Sequence, residues 1–202
     1  MEKIGYNYDR FVVSALSQNS GIPAFMLNTL RELILDFQES VLDTGVIRRL
    51  SISTVDGKAT VCIGVRRCGK STFLCQQIQR LLNSGVPRQN IFFLNFFDDR
   101  LHDLQHERLG VVLEAYYSLY PEKKGAERVY WFFDEIQAIP KWEPFVDRLM
   151  RTENAEVYIT GSSAQMLSRE IATQMRGRAL SWEIFPFSFR EYLDYKEIDA
   201  GV

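Results

Sequence analysis

Apolar residues recur along this chain in two different periods, and the alternation between them predicts the fold class. Leu27, Leu30, Ile34, Phe37 and Val41 follow one another at spacings of 3, 4, 3 and 4, the period of a helix with one buried face, and Gly45 is placed to stop it. Leu50–Val55 then alternates apolar and polar, and Asp56-Gly57 separates it from the apolar run Ala59–Ile63, a pattern that predicts a β-hairpin. Past a glycine-bearing loop, Phe73, Leu74, Ile78, Leu81 and Leu82 predict a helix over Lys70–Asn83 that Gly85 ends. Short apolar runs at Ile91–Phe96, Val129–Phe133, Val157–Thr160 and Ala179–Phe185 alternate with helical patterns at Leu104–Tyr120, Trp142–Arg151, Ala164–Met175 and Phe189–Tyr195. Continuous apolar strands between amphipathic helices predict an α/β fold, a parallel sheet covered on both faces. Ligands of such sheets lie beyond the C-terminal ends of the strands. The first twenty residues carry no clear period.

Composition narrows the function classes. The 202 residues are 46% apolar and 25% charged, which excludes a mostly disordered chain. Lys plus Arg is 24 and Asp plus Glu is 26, a formal net charge of −2, so the whole surface does not coat nucleic acid or anionic membrane. A local basic track stays open, because arginine is abundant and Arg48-Arg49, Arg66-Arg67 and Arg176/Arg178 are clustered. Three cysteines, Cys62, Cys68 and Cys75, are too few and too odd a set for a disulfide framework and point to a reducing, cytoplasmic compartment. No signal-like or membrane-length apolar segment is present, so no membrane partner is expected.

The candidate chemistry sits at strand ends. Gly64-Val65-Arg66-Arg67-Cys68-Gly69-Lys70-Ser71-Thr72 matches G-x-x-x-x-G-K-[ST] between a strand and a helix. Its glycines would let backbone N–H groups wrap phosphate oxygens. Lys70 would reach the β- and γ-phosphates, Ser71 would coordinate Mg²⁺, and Thr72 would donate to the α-phosphate. Val129-Tyr-Trp-Phe-Phe-Asp134-Glu135 ends a strand in two carboxylates: Asp134 to hold Mg²⁺ and Glu135 to deprotonate the attacking water. The strand Ile91–Phe96 between the two motifs implies that one strand separates them in the sheet. No guanine-reading Asn-Lys-x-Asp is present, so ATP is expected rather than GTP. Thr160-Gly-Ser162-Ser163 offers hydroxyls beside the γ-phosphate, or equally a helix N-cap. Arg176 and Arg178 read either as surface ion pairs or as a finger stabilising charge on the γ-phosphate. His102 and His106, Asp98-Asp99, and Cys68 as a reactive thiol are read as ordinary structural features.

Together, GVRRCGKST, FFDEIQAIPKWE and YITGSSAQMLSREIATQMRGRALSWEIFPFSFREYL resemble the bacterial and archaeal AAA+-type P-loop ATPases over Arg48–Leu193. The resemblance implies a three-layer domain with a five-stranded parallel sheet of order 5-1-4-3-2 flanked by helices. It implies a Walker A at Gly64–Ser71, a Walker B at Phe132–Glu135, a sensor position in Thr160–Ser163 and an arginine segment at Arg176–Arg178. It divides the chain into an N-terminal segment with an amphipathic helix (1–47), an ATPase domain (48–195) and a tail (196–202) where a C-terminal domain would follow. The expected function is Mg²⁺-dependent hydrolysis of ATP to ADP and phosphate. The alternatives are a slow nucleotide-operated switch on a partner domain, and a nucleic-acid-associated loader. A homo-oligomer is expected if Arg176 or Arg178 acts in trans.

Overall fold

The computed structural model describes residues 24–106, 109–162, 175 and 177–198. Helix α1 (Ala24–Glu39) precedes β1 (Ala59–Gly64) and α2 (Lys70–Asn83). Then come β2 (Ile91–Asn95), α3 (Gly110–Leu119), β3 (Val129–Asp134), α4 (Glu143–Thr152), β4 (Ala155–Ser162), β5 (Ala179–Glu183) and α5 (Phe189–Tyr195). The five strands form one sheet in the order β2-β3-β4-β1-β5, with every neighbouring pair parallel. This is the 5-1-4-3-2 order.

Side-chain alternation along β3 explains the three layers. Trp131 and Phe133 join Phe92, Val61 and Ile159 against α1, α3 and α4 on one face. Phe132 points the other way and joins Tyr158 against Leu74 and Ile78 of α2. Phe132 and Tyr158 stack with ring centroids 4.4 Å apart and planes 4° apart. Both faces of the central strands are thus dry, which is why they read as unbroken apolar runs. Met26, Leu30 and Ile34 place α1 inside the main core rather than beside it.

The structure differs from the sequence patterns at three points. The hairpin at residues 50–63 does not form, because β4 and β1 pair on one side and β5 and β1 on the other, leaving no free edge for Leu50–Val55. Leu50 and Ile52 instead pack beneath Phe73 and Ile184. As expected, one strand separates the two motif strands; it is β4, and β2 takes the sheet edge beside β3. The pattern at Leu104–Tyr120 is broken: residues 99–106 wind as 3₁₀ turns that still bury Leu101 and Leu104, and the α-helix begins at Gly110. Val41 stays in register with α1 but lies past its end and is exposed. The expected helix Ala164–Met175 lies outside the described residues apart from Met175.

Two buried features hold the phosphate-loop end of the sheet. A Cβ on Gly64 would stand 2.3 Å from the Ile184 carbonyl oxygen and 2.8 Å from Cys68 Sγ, so only glycine lets this loop leave β1 against the chain that follows β5. Arg48 ties the same region together. Its Nη1 donates to the Cys68 carbonyl (2.9 Å), its Nη2 to the Phe185 carbonyl (2.6 Å) and its Nε to Glu191 Oε1 (2.9 Å). Glu191 also closes the capping box of α5 with Ser188 and accepts from the Arg49 N–H at 3.0 Å. Burial pushes the Glu191 carboxyl up, but the backbone N–H groups of Ser188 and Arg49 and the Arg48 guanidinium outweigh it and hold the group down to about 2.

Gly64→Ala is therefore expected to destabilise the domain by about 3 kcal/mol, read as a lowered urea midpoint; an unchanged midpoint would show that the loop can shift freely. Because the folded value of Glu191 lies below its unfolded value, its contribution is complete above about pH 4.5 and fades as pH falls toward 2. Glu191→Gln should cost about 3 kcal/mol at pH 7. Urea titrations of the two proteins should converge as the pH is lowered toward 2, and a gap independent of pH would remove the charge from this account.

Candidate functional site

The site is built where β1, β4 and β3 end side by side. Register places Gly64 level with Ser162 of β4, and Phe133 level with Ile159, so Thr160 stands beside Asp134. The loop after Gly64 turns back through Arg67 and Gly69, whose φ angles are 62° and 92°. Gly69 caps α2 in this left-handed conformation, which favours a residue without Cβ, and Lys70 opens the helix. Val65, Arg66 and Arg67 are exposed, whereas Cys68 is buried under the loop.

Lys70 is buried beneath its own loop. Its Nζ donates to the carbonyls of Gly64 (3.2 Å) and Val65 (3.1 Å) and lies 3.8 Å from Glu135 Oε1. Asp134 is fully buried at the tip of β3. Thr160 donates its hydroxyl to Asp134 Oδ1, and the Thr160 hydroxyl oxygen itself accepts from the Glu135 N–H at 2.9 Å. Asp134 Oδ2 has no hydrogen-bond partner; the Ser71 hydroxyl faces the carboxylate without completing a well-aligned bond. Burial pushes the Asp134 carboxyl above its ordinary value, against the opposing pull of the Thr160 and Ser71 hydroxyls. Glu135 stands in the left-handed region at φ 54°, an unusual conformation for a residue with a Cβ.

A buried carboxylate with one orphaned oxygen and a serine hydroxyl near it fits a hard divalent cation, since both donors are oxygen and the cation would supply the missing partner. Among the described residues no cluster of three or more His, Cys, Asp or Glu side chains is arranged to hold a metal alone. A cation here would rely on one carboxylate, one hydroxyl and oxygens from elsewhere, the usual situation for Mg²⁺ beside phosphates.

The remaining sequence candidates separate. Ser162 is half-buried at the end of β4, beside the start of the phosphate loop. Ser163 and Arg176 lie outside the described residues. Arg178 is at the opposite end of the sheet: its carbonyl accepts from the Ala59 N–H, and its guanidinium pairs with Asp147 of α4 at 2.8 Å. It is a strand's length, about 17 Å, from the phosphate loop of its own chain. Of the other clustered arginines, Arg48 is buried against Glu191 and Arg49 pairs with Asp194 at 3.0 Å. Three of the six clustered arginines, Arg48, Arg49 and Arg178, are thus paired with carboxylates, while Arg66 and Arg67 stay exposed.

Two groups escaped the sequence reading. One is a mainly apolar cavity of about 420 Å³ beside the N-terminus of α2, lined by Gly45, Val46, Arg48, Thr72, Phe187 and Tyr195. Its walls are 150 residues apart along the chain, and no local pattern joins them. The other is Gln137, whose Nε2 donates to Glu135 Oε2. Its place two residues after the tandem acids was visible, but the fold of the turn was not. No helix of the described residues is long and apolar enough to cross a membrane.

The chain is similar to several known proteins. An uncharacterized protein of Methanocaldococcus jannaschii is 37% identical over 170 residues, covering 84% of this chain and 36% of its own length. One from Haemophilus influenzae is 35% identical over 142 residues, covering 69% of this chain and 34% of its own. The chain thus spans about a third of the length of these relatives. Among solved structures, C. elegans PCH-2 aligns with 91% of this chain and 51% of its own at 16% identity and a TM-score of 0.44. The profile of a family described as AAA domain matches residues 56–193, more than half of the chain and all of the motif-bearing strand ends. The chain belongs to this AAA domain family and carries its nucleotide-binding, ATPase type of domain.

Proposed function

We propose that this chain binds ATP and, with Mg²⁺, hydrolyses it to ADP and phosphate. The observation that carries the reading is the meeting of Lys70 Nζ and Glu135 Oε1 at 3.8 Å in one cleft, with the unpartnered oxygen of Asp134 and the Ser71 hydroxyl beside them. Lys70 is now satisfied by two neutral carbonyls and a carboxylate. Phosphate oxygens would replace them, since charge-assisted contacts to phosphate are the stronger. The loop Gly64–Thr72 and the N-terminus of α2 would surround the phosphates with N–H donors. Mg²⁺, held by Ser71 and Asp134, would neutralise charge developing on the β- and γ-phosphate oxygens. Glu135 would take the proton of the attacking water, and Ser162 would present a hydroxyl to the γ-phosphate. The adenine would occupy the cavity between Val46, Phe187 and Tyr195, where an apolar wall suits a purine face.

Arg178, and Arg176 two residues before it in the sequence, are assigned to the γ-phosphate of a neighbouring copy, because Arg178 is turned away from the cleft of its own chain. A second reading, slow hydrolysis that switches the affinity of a partner, is favoured by one feature. Phe187 and Tyr195 line the cavity and are themselves exposed, as are Phe185, Phe189 and Ile198 near them in sequence, so this end of the chain presents apolar side chains a partner could cover.

Lys70→Ala should weaken ATP binding on the order of 100-fold or more, measured by calorimetry. Glu135→Gln should keep the Kd for ATP while lowering kcat on the order of 100- to 10,000-fold. Equal turnover in that variant removes Glu135 as the base. Specific activity should rise with protein concentration and fall in Arg178→Ala; a monomer whose activity ignores concentration would remove the assignment in trans. Rapid turnover by the isolated chain would count against the switch.

A further inference from the structure

The backbone at the end of β3 folds the chain back on the glutamate it presents. Glu135 takes a left-handed φ of 54°, and a 3₁₀ turn over Ile136–Ala138 follows at once. The turn is held from both sides: Ile136 is fully buried in the main core, and the Ala138 N–H donates to the Glu135 carbonyl at 3.0 Å. Gln137 is thereby carried to the carboxylate two residues before it, and its Nε2 donates to Glu135 Oε2. Lys70 faces the other oxygen, Oε1.

The two carboxylate oxygens therefore meet different partners. Oε2 meets a neutral donor fixed within its own turn. Oε1 meets an ammonium that the proposed function draws away onto phosphate. The other end of Gln137 is informative too, since its Oε1 is buried with no hydrogen-bond partner. An unmet buried acceptor is costly, so the donor end is what holds this side chain in place. Gln137 leaves its acceptor unmet and engages its donor with Glu135 alone.

We propose that Gln137 is the positioning residue of the hydrolytic site: it grips Glu135 by Oε2, so that Oε1 alone faces the attacking water once Lys70 turns to the phosphates. This rests on the assignment of Glu135 as the base. In the step, the water oxygen bonds to the γ-phosphorus and the water proton passes to Glu135 Oε1. The bond from the γ-phosphorus to the β–γ bridging oxygen breaks, leaving its electron pair on ADP. Gln137 neither gains nor loses a proton. It removes the rotation that would otherwise swing the base out of line, and displacements of about 1 Å at such a point cost on the order of 100-fold in rate.

Gln137→Met keeps the length and bulk of the side chain and removes the donor. It is expected to lower kcat about 30-fold, with KM and the Kd for ATP within about twofold of wild type and an unchanged thermal midpoint. A structural role alone would lower the thermal midpoint and leave kcat per folded molecule intact. A readout without turnover is the pair of Gln137 side-chain amide resonances in a ¹H–¹⁵N correlation spectrum of the protein without nucleotide. They should move in Glu135→Gln and stay in place in Asp56→Asn, whose carboxylate pairs with Arg128 at the opposite end of β3. A Gln137→Met protein with full kcat, or amide resonances indifferent to Glu135, overturns the proposal. If Glu135→Gln itself turns over normally, the base assignment fails first; if Glu135→Gln is inactive while Gln137→Met is not, only the role of Gln137 fails.

Discussion

A carboxylate with no solvent access, held by one threonine hydroxyl, organises everything around it. Asp134 is buried at the end of the most apolar strand of the sheet, where charge is least welcome. Thr160 relieves part of that cost on one oxygen, and the same hydroxyl fixes the backbone of Glu135, so a single side chain of β4 sets the spacing of the tandem acids. The second oxygen of Asp134 has no hydrogen-bond partner, and the Ser71 hydroxyl lies near the carboxylate. On the proposed function, a bound cation would supply the partner that the second carboxylate oxygen lacks.

The interposed strand makes this possible. If β1 and β3 were direct neighbours, about 4.8 Å apart, Lys70 and the acids would crowd one another. With β4 between them the loop and the tandem acids face each other across two strand spacings, and the gap is closed by long side chains, lysine from one side and glutamate from the other. The order of strands is thus part of the chemistry.

A second buried charge performs a different task. The Arg48–Glu191 pair donates and accepts between the segment before β1, the phosphate loop and the start of α5, three stretches with little else in common. Buried pairs of this kind seldom add much net stability, but they specify one arrangement, because every alternative leaves a charge unmet. Here the arrangement specified is the wall of the apolar cavity, which Arg48 lines and Phe187 and Tyr195 complete. Phe187 also lies under the guanidinium, 5.3 Å from ring centroid to Cζ.

What could be seen in the amino-acid order were features whose cause is local. The phosphate loop, the hydrophobic strand ending in Asp134-Glu135 and most helices depend on residues close in sequence, through periodicity, glycine φ angles and apolar runs, and they are found where those signals lie. The hairpin at residues 50–63 misled because Asp56-Gly57 does make a turn; only the sheet decides that both edges of β1 are already taken. The helix expected from Leu104 starts at Gly110 because burial of Leu101 and Leu104 is satisfied equally by 3₁₀ turns. The partners of the tandem acids, Thr160 and Gln137, the buried Arg48 cluster and the displacement of Arg178 to the far end of the sheet came from packing alone. Gln137 reaches Glu135 through the turn between them; the others are contacts set by strand order and packing, quantities that hydrophobic periodicity leaves degenerate and that long-range hydrogen bonding and desolvation then resolve.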